Sequence, residues 1–300
     1  LRRLAYALVL LLAVVTLNFL LIHISPGDPV ETIAGSMGGI SEELRAQLRA
    51  QYGLDKPFLT QLGIYLMQVL RGDLGYSYFF NVPVAQLIWD RVPATLLLVV
   101  TSVLSAFLAG TLLGTLAARK PNGPLSQGIT LLSVVGYSAP VFWTGIILII
   151  LFASALPIFP VSDMRSAGGP QDGWAGVLDV LHHLVLPAFT LAFVYLAQYS
   201  RLARASVMEA LSADYIRTAR AKGLPERSVL YKHALRNGVL PVVTMLGLQF
   251  GNVLAGAILV ETVFNWPGLG RLAFDSVLRR DYPTLLGILL FASLLVVVMN

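Results

Sequence analysis

Apolar residues in this chain gather in long runs without a charged side chain. Six such runs cover residues 4–27, 92–118, 121–162, 180–200, 237–260 and 282–300. A bilayer core takes about 20 apolar residues per helix. The pattern therefore predicts spans near 4–24, 94–118, 127–153, 183–203, 239–262 and from 284 onward. Buried helices of soluble proteins rarely stay uncharged over such lengths, so the sequence favours an all-α, polytopic membrane protein with six transmembrane helices.

The largest segment outside the predicted spans is 25–92. Pro57 is expected to open a helix that runs to about Leu70. An earlier helix is predicted from Ser41, a hydroxyl N-cap followed by acids, to about Gln51. We expect three parts: helix 1 over 1–24, a small helical extracytoplasmic insertion over 25–92, and a membrane core over 93–300. The insertion is either an inert cap on the outer mouth or a contact surface for a substrate.

The charges predict which side of the membrane each segment faces. Charged residues make up 12% of the chain, about half the usual share of about 25%. Segments 1–3, 119–120 and 201–236 hold twelve basic and three acidic residues, whereas the rest holds nine basic and thirteen acidic. Because basic segments stay inside, both termini and the 201–236 loop are predicted to be cytoplasmic. This asymmetry accounts for the net charge of +5 without nucleic acid.

The residue pattern of the basic loop predicts that it folds into helices. Between Arg201 and Pro241 it carries eight basic and three acidic residues, with apolar residues at helical spacing. The pattern is broken at Gly223-Leu224-Pro225, which predicts a short amphipathic helix ending at the glycine and a second helix opened by the proline. Such a shape suits docking onto a partner protein. A basic loop lying on anionic lipid is the alternative.

Several kinds of chemistry find no support in the sequence. There is no G-x-x-x-x-G-K-[ST], H-E-x-x-H or G-x-S-x-G motif. The absence of cysteine excludes disulfides and thiolate metal sites. No charged residue lies near the middle of a predicted span, so an ion relay is not indicated; Glu261 is expected at the membrane boundary. His182-His183 is expected to anchor a helix end in preference to binding a metal.

Small and weakly polar residues mark the predicted spans. Two G-x-x-x-G pairs would let helices approach closely; they are Gly110 with Gly114, and Gly247 with Gly251. Pro140 and Pro187 invite kinks.

Gln249 and Asn252 lie three residues apart and share a face of the fifth span. They either form hydrogen bonds between helices or line a polar translocation path.

The loop resembles the conserved loop of ABC importer permeases, whose pattern is E-A-A, three residues, then Gly. Gly223 matches the glycine and Ala219 the second alanine, whereas Arg217 and Thr218 replace the first two positions. Several segments are similar to the dipeptide/oligopeptide/nickel branch, specifically its B-type, first permease subunit. They are 215–223 (YIRTARAKG), 233–237 (HALRN), 26–29 (PGDP), 52–57 (YGLDKP), 72–75 (GDLG) and 266–270 (WPGLG).

The resemblance implies the type I ABC importer permease fold in a bacterial inner membrane. It implies four kinds of partner: a second homologous permease, two cytoplasmic ATPases, an extracytoplasmic solute-binding protein, and a small peptide-like solute. ATP and Mg would be bound by the ATPases, with no cofactor, metal or catalytic residue in this chain. Within loop 204–240, the implied ATPase-coupling residues are Tyr215, Arg217, Ala219, Arg220, Ala221, Lys222, Gly223 and Leu224. The alternative function is an ion-coupled secondary transporter or a membrane-embedded enzyme.

Overall fold

The computed structural model describes residues 9, 11–20, 41–43, 46, 49, 55–170 and 172–299, and these residues are mostly helical. The helices are α1 (Leu11–Leu20), α2 (Phe58–Leu70), α3 (Val84–Ala118), α4 (Pro124–Ser138), α5 (Val141–Ile149), α6 (Gly173–Ser212), α7 (Asp214–Ala221), α8 (Glu226–Ser228), α9 (Leu235–Gly238), α10 (Leu240–Val263), α11 (Leu269–Arg279) and α12 (Tyr282–Met299). Wider π-type turns continue α5 over Ile150–Ala155 and join α8 to α9 over Val229–Ala234. Strands β1 (Tyr76–Ser77) and β2 (Val82–Pro83) pair antiparallel, with Tyr76 opposite Pro83.

The structure contains the helix that the sequence predicts after Pro57. Pro57 precedes α2, and the helix ends at Leu70, as the sequence predicts. A proline suits this position because the first turn of a helix leaves its N–H groups unpaired. The predicted helix from Ser41 to Gln51 lies largely outside the described residues, as does the turn at 26–29.

The third predicted span, 127–153, is broken at Pro140, where the sequence predicts a kink. The segments Pro124–Gly136 and Val141–Ala155 are bent by 106°. Ala139 is extended, with φ −80° and ψ 124°, and Pro140 caps the next helix. A proline lacks the N–H that would continue the helix and disfavours helical geometry in the residue before it. Pro187, in contrast, lies inside the uninterrupted α6.

Two helices run well beyond the apolar stretches that predicted them. α3 begins at Val84, ten residues before the expected start at 94, and α6 covers 173–212 where 183–203 was expected. By length and composition these two described helices are able to cross a membrane, and the bent α4–α5 pair would make a third crossing if it is one span. The number six therefore stays a prediction.

The chain divides into two compact units, and the first comprises Leu1–Pro93 with Arg271–Asn300. In this unit the Asn18 side chain donates to the Leu286 carbonyl at 3.2 Å. The Asp281 carboxylate accepts hydrogen bonds from the hydroxyls of Ser77 (2.5 Å) and Thr284 (2.7 Å). These bonds fix β1 and the start of α12 through one buried carboxylate.

The second unit, Ala94–Gly270, is built around α6. Helices α4, α5 and α10 all pack on α6, and the fully buried side chains of its core include Leu98, Leu191, Tyr199 and Trp266. α3 approaches α6 more closely than a side chain would permit. A Cβ atom on Gly110 would lie 2.7 Å from the Cβ of Tyr199, and one on Gly114 would lie 2.4 Å from the Ser200 carbonyl oxygen. This G-x-x-x-G pair therefore packs helices within the chain.

Candidate functional site

The loop between α6 and α10 folds against the chain's own helices through one side of α7. Ile216 is fully buried and Ala219 is 5% exposed, three residues apart on the same face. They join a small apolar cluster whose other buried members are Ala118, Val207, Val229, Leu230 and Ala234. The helix begins with Asp214 and has Arg220 in its last turn, the arrangement that the helix dipole favours. The cluster fixes the orientation of α7.

The remaining predicted coupling residues are exposed on the other sides of this loop. The exposed residues are Tyr215, Arg217, Arg220, Ala221, Lys222, Gly223 and Leu224. Ala219 does not belong to this surface, because its methyl group packs inward. The structure thus brings seven of the eight residues to a surface that a partner can reach and assigns Ala219 to the core that supports it.

Gly223 ends α7 as the sequence predicts. Its φ is +72°, a conformation that residues with a Cβ rarely adopt. The Gly223 N–H donates to the Arg220 carbonyl at 2.9 Å and the Leu224 N–H donates to the Ala219 carbonyl at 3.3 Å. This pair of bonds is a Schellman motif, which satisfies carbonyls left open at the helix end. The chain then turns sharply into Pro225 and α8.

An ion pair crosses the same turn. Arg220 donates to Glu226 through Nε at 2.7 Å and through a terminal nitrogen at 3.3 Å. These hydrogen bonds lower the pKa of the Glu226 carboxyl and raise the pKa of the Arg220 guanidinium. Both side chains are exposed, so the pair orders the turn more than it stabilises the fold.

Beside the turn lies a shallow open groove of about 460 Å³. It is lined by Pro225, Arg227, Ser228, Tyr231 and Lys232. Two cationic side chains, a hydroxyl and an aromatic ring suit a protein surface that presents carboxylates and an apolar side chain. The sequence-based prediction did not include these residues, although Arg227 and Lys232 belong to the basic loop that it singled out.

One of the two predicted path residues has a hydrogen-bond partner on another helix. Gln249 of α10 is 7% exposed and its amide nitrogen donates to Oε1 of Gln198 on α6, at 2.9 Å. Gln198 was missed, although it is a polar side chain within the fourth charge-free run. The side chain of Asn252 and the surroundings of Gly251 lie outside the described residues. A Cβ on Gly247 would meet nothing within 4 Å.

Glu261 lies near the end of α10, and its side chain is fully buried within the protein, which the sequence did not predict. The Thr95 hydroxyl donates to its carboxylate at 2.7 Å, and the Leu269 N–H donates to that hydroxyl at 2.8 Å. A Cβ on Gly268 would lie 2.2–2.4 Å from the carboxylate. The 266–270 turn therefore encloses Glu261, and a glycine is required at 268.

The His182-His183 pair takes part in local contacts. A His182 ring nitrogen lies 2.9 Å from the Ile158 carbonyl, and His183 Nδ1 lies 3.5 Å from the Asp179 carboxylate. Asp179 also accepts hydrogen bonds from the backbone and hydroxyl of Ser166. In the described part of the chain, no three His, Cys, Asp or Glu side chains are grouped to hold a metal ion.

The sequence matches known proteins along its whole length. Residues 110–300 match the family model of the binding-protein-dependent transport system inner membrane component, and residues 1–99 match the N-terminal model of the same kind of component. The chain belongs to this family. As an inner membrane component, the chain is a permease subunit and not an enzyme.

Three relatives in this family are similar over nearly their full length. The chain is 41% identical over 317 residues to the dipeptide transport system permease protein DppB of Escherichia coli (strain K12), covering 100% of this chain and 93% of that protein. It is 40% identical over 312 residues to the di/tripeptide transport system permease protein DppB of Pseudomonas aeruginosa, at 99% and 93% coverage. It is 38% identical over 300 residues to the oligopeptide transport system permease protein AppB of Bacillus subtilis, at 100% and 93% coverage.

Proposed function

We propose that this inner membrane component carries a dipeptide or short oligopeptide into the cytoplasm by alternating access. Three relatives named for transport of dipeptides, di/tripeptides and oligopeptides support this class of solute. ATP hydrolysis on partner subunits, to which Mg²⁺ and nucleotide would bind, drives the cycle. A second homologous permease completes the pathway, and an extracytoplasmic solute-binding protein delivers the solute.

The observation that carries this proposal is the two-sided packing of α7. Ile216 and Ala219 fasten the helix to the chain, while Tyr215, Lys222 and Leu224 remain exposed around it. A helix held firmly on one side and open on the other is suited to pass a movement from an ATPase to the membrane helices. We therefore assign the coupling role to the exposed residues of α7 and its Gly223 turn.

The proposed topology has six transmembrane helices, cytoplasmic termini and residues 25–92 on the outer side. It follows from the distribution of basic residues, which favours a cytoplasmic position for the α7 loop. In this arrangement α7 and the Glu261 turn lie on opposite sides of the membrane. Gln249 and Asn252 are proposed to lie beside the translocation path, with Gln198 as the partner of Gln249.

Uptake in reconstituted vesicles tests the proposed function. We expect labelled dipeptide to enter only when both permeases, both ATPases, the binding protein and ATP are present, since one permease supplies half of the path. Two results would contradict the proposal. One is equal, ATP-independent uptake by this chain alone; the other is a complete, ATP-hydrolysing assembly that takes up no di-, tri- or oligopeptide.

A further inference from the structure

Helix α2 exposes an apolar face that the described residues of the chain leave uncovered. Leu59, Gly63, Met67 and Leu70 follow one another at helical spacing on one face. The three side chains are 78%, 52% and 80% exposed, and, apart from neighbouring parts of α2 itself, no atom of the described residues lies within 4 Å of the place that a Cβ on Gly63 would take. No residue of α2 is buried. This face needs an apolar environment that the described part of the chain does not supply.

The two glutamines of α2 lie away from this face, whereas the exposed Thr60 lies at its edge. Gln61 and Gln68 are half-buried, and the Gln61 amide donates to the Lys56 carbonyl at 2.7 Å. A helix on a water-soluble domain shows the reverse pattern, with its glutamines outside and its leucines inside. The orientation of α2 is therefore the one expected of a helix whose surroundings are apolar.

Contacts with α1 place α2 alongside a membrane helix. The Phe19 ring of α1 lies 5.1 Å from the Phe58 ring and 6.0 Å from the Tyr65 ring. Phe19 precedes the end of the predicted first span by five residues, which at 1.5 Å per residue is about 7 Å of depth. The neighbouring Asn18 is bonded to Leu286, within the apolar α12. Phe58 and Tyr65 thus meet α1 within its apolar stretch.

The length and the flanking charges of α2 fit a helix within one leaflet. Thirteen residues extend about 20 Å, too short for a bilayer core of about 30 Å. No charged residue occurs between Lys56 and Arg71, and both of these basic side chains are exposed. Basic residues at the two ends of an apolar helix can reach lipid phosphates while the helix stays among acyl chains.

We propose that the Leu59–Met67–Leu70 face of α2 is covered by acyl chains of the lipid bilayer, in its outer leaflet. α1 also exposes apolar side chains, among them Leu12 and Leu17, and α2 contacts α1 through Phe19, so a membrane that surrounds α1 reaches α2. Part of the 25–92 insertion is then a membrane anchor instead of a domain in external water. The choice of leaflet rests on the topology given under Proposed function; the lipid contact does not.

The cysteine-free sequence makes this proposal directly testable. Single-cysteine variants L59C, M67C and L70C are labelled with a nitroxide in the assembled transporter, reconstituted in lipid vesicles. Accessibility to oxygen, which concentrates in lipid, is compared with accessibility to a water-soluble nickel chelate. L108C, on an exposed apolar position of α3, is the lipid reference, and D172C is the water reference. Q68C is the matched control on the other side of α2.

We expect the oxygen-to-nickel ratio at 59, 67 and 70 to match that at 108 and to exceed that at 172 several-fold. The label at 68 should be poorly accessible to both reagents. A ratio equal to that at 172 would overturn the proposal in favour of a water-exposed lid. Exclusion of both reagents at all three positions would also overturn it, because a protein partner would then cover the face.

A separate measurement distinguishes failure of the topology from failure of the inference. A membrane-impermeant thiol reagent applied outside should react with D172C and not with K120C, an exposed position that the topology places on the inner side. The opposite pattern would contradict the topology and the outer-leaflet assignment, while a lipid-like ratio at 59, 67 and 70 would still support burial of α2 in acyl chains. Peptide uptake by each labelled variant shows that the transporter is intact.

Discussion

The amide of Gln249 donates a hydrogen bond to Oε1 of Gln198, joining α10 to α6 over 2.9 Å. Sequence alone left two roles for Gln249, one as a bond between helices and one as lining of a solute path. The bond supports the first role without removing the second, because an amide pair in a transporter can break when the helices move.

The two roles of Gln249 predict different responses to leucine. Q249L, Q198L and the double variant form a double-mutant cycle. Each single change should lower the free energy of unfolding. The coupling energy between the two positions should be about 0.6 kcal/mol if this hydrogen bond behaves as bonds between membrane helices do on average. Peptide uptake and unfolding are measured in all three. If uptake falls in Q249L while the coupling is zero, the path role is correct and the bond is incidental.

Glycine at 114 should be irreplaceable even by alanine. Because the new Cβ would lie 2.4 Å from the Ser200 carbonyl oxygen, G114A should force α3 away from α6 and cost about 1–3 kcal/mol. G128A is the control, since a Cβ there meets nothing within 4 Å. Thermal unfolding of the two purified variants tests this, and equal midpoints would contradict the close approach of the helices.

Two alanines of α7 should respond differently to enlargement. A219W overfills the cluster around Ile216 and should destabilise the loop by about 1–3 kcal/mol. A221W adds its ring to an exposed position, so the fold should persist while solute-stimulated ATPase activity falls. Measuring both stability and ATPase activity separates the two effects. Normal stimulation in A221W would remove this position from the docking surface.

The Gly223 turn should tolerate asparagine better than leucine. For most residues, a φ of +72° adds about 1–2 kcal/mol of backbone strain, and the strain is smaller for asparagine. No neighbour lies within 4 Å of a Cβ here, so crowding adds nothing. We expect G223N to keep solute-stimulated ATPase activity and G223L to lose part of it. Identical activities in the two variants would show that the turn conformation is not needed for coupling.

The Arg220–Glu226 pair should make the loop sensitive to acid and insensitive near neutrality. Since the pKa of Glu226 is lowered from its usual 4.5 in the folded loop, its contribution is present above that value and is lost as the pH falls through the lowered pKa. The protection of amides 220–228 against exchange, corrected for the intrinsic pH dependence of the exchange rate, should therefore fall only below about pH 4.5, and salt should weaken the effect. E226Q should abolish the pH dependence; an unchanged profile would show that another group titrates.

The sequence predicted the helical class, the end of α7 at Gly223 and the opening of α2 at Pro57, because each depends on a local signal. An apolar run, a glycine with free φ and a proline with fixed φ each determine the backbone conformation of residues close to them in the sequence. The sequence predicted a kink at Pro140 but not its size of 106°, because a proline marks the place of a break while the size also depends on how α4 and α5 pack on α6.

Residues whose role depends on a distant partner were harder to predict. Ala219 looked like part of a docking face, but its direction is set by Val207 and Val229, which lie outside α7. Glu261 was expected at the membrane boundary because it ends an apolar run; its burial against the hydroxyl of Thr95, 166 residues away, could not be read from that run. Hydropathy contains no information about such pairs.

The glycine contacts between α3 and α6 limit how this permease can move. Gly110 and Gly114 have no side chains that separate α3 from the α6 backbone. A small rotation of α3 relative to α6 therefore cannot be accommodated by rearranging side chains between them. The two helices should therefore travel as one rigid lever during the transport cycle. The strain of opening and closing must then be taken up at other joints, and the broken helix at Pro140 is one that offers the freedom to do so.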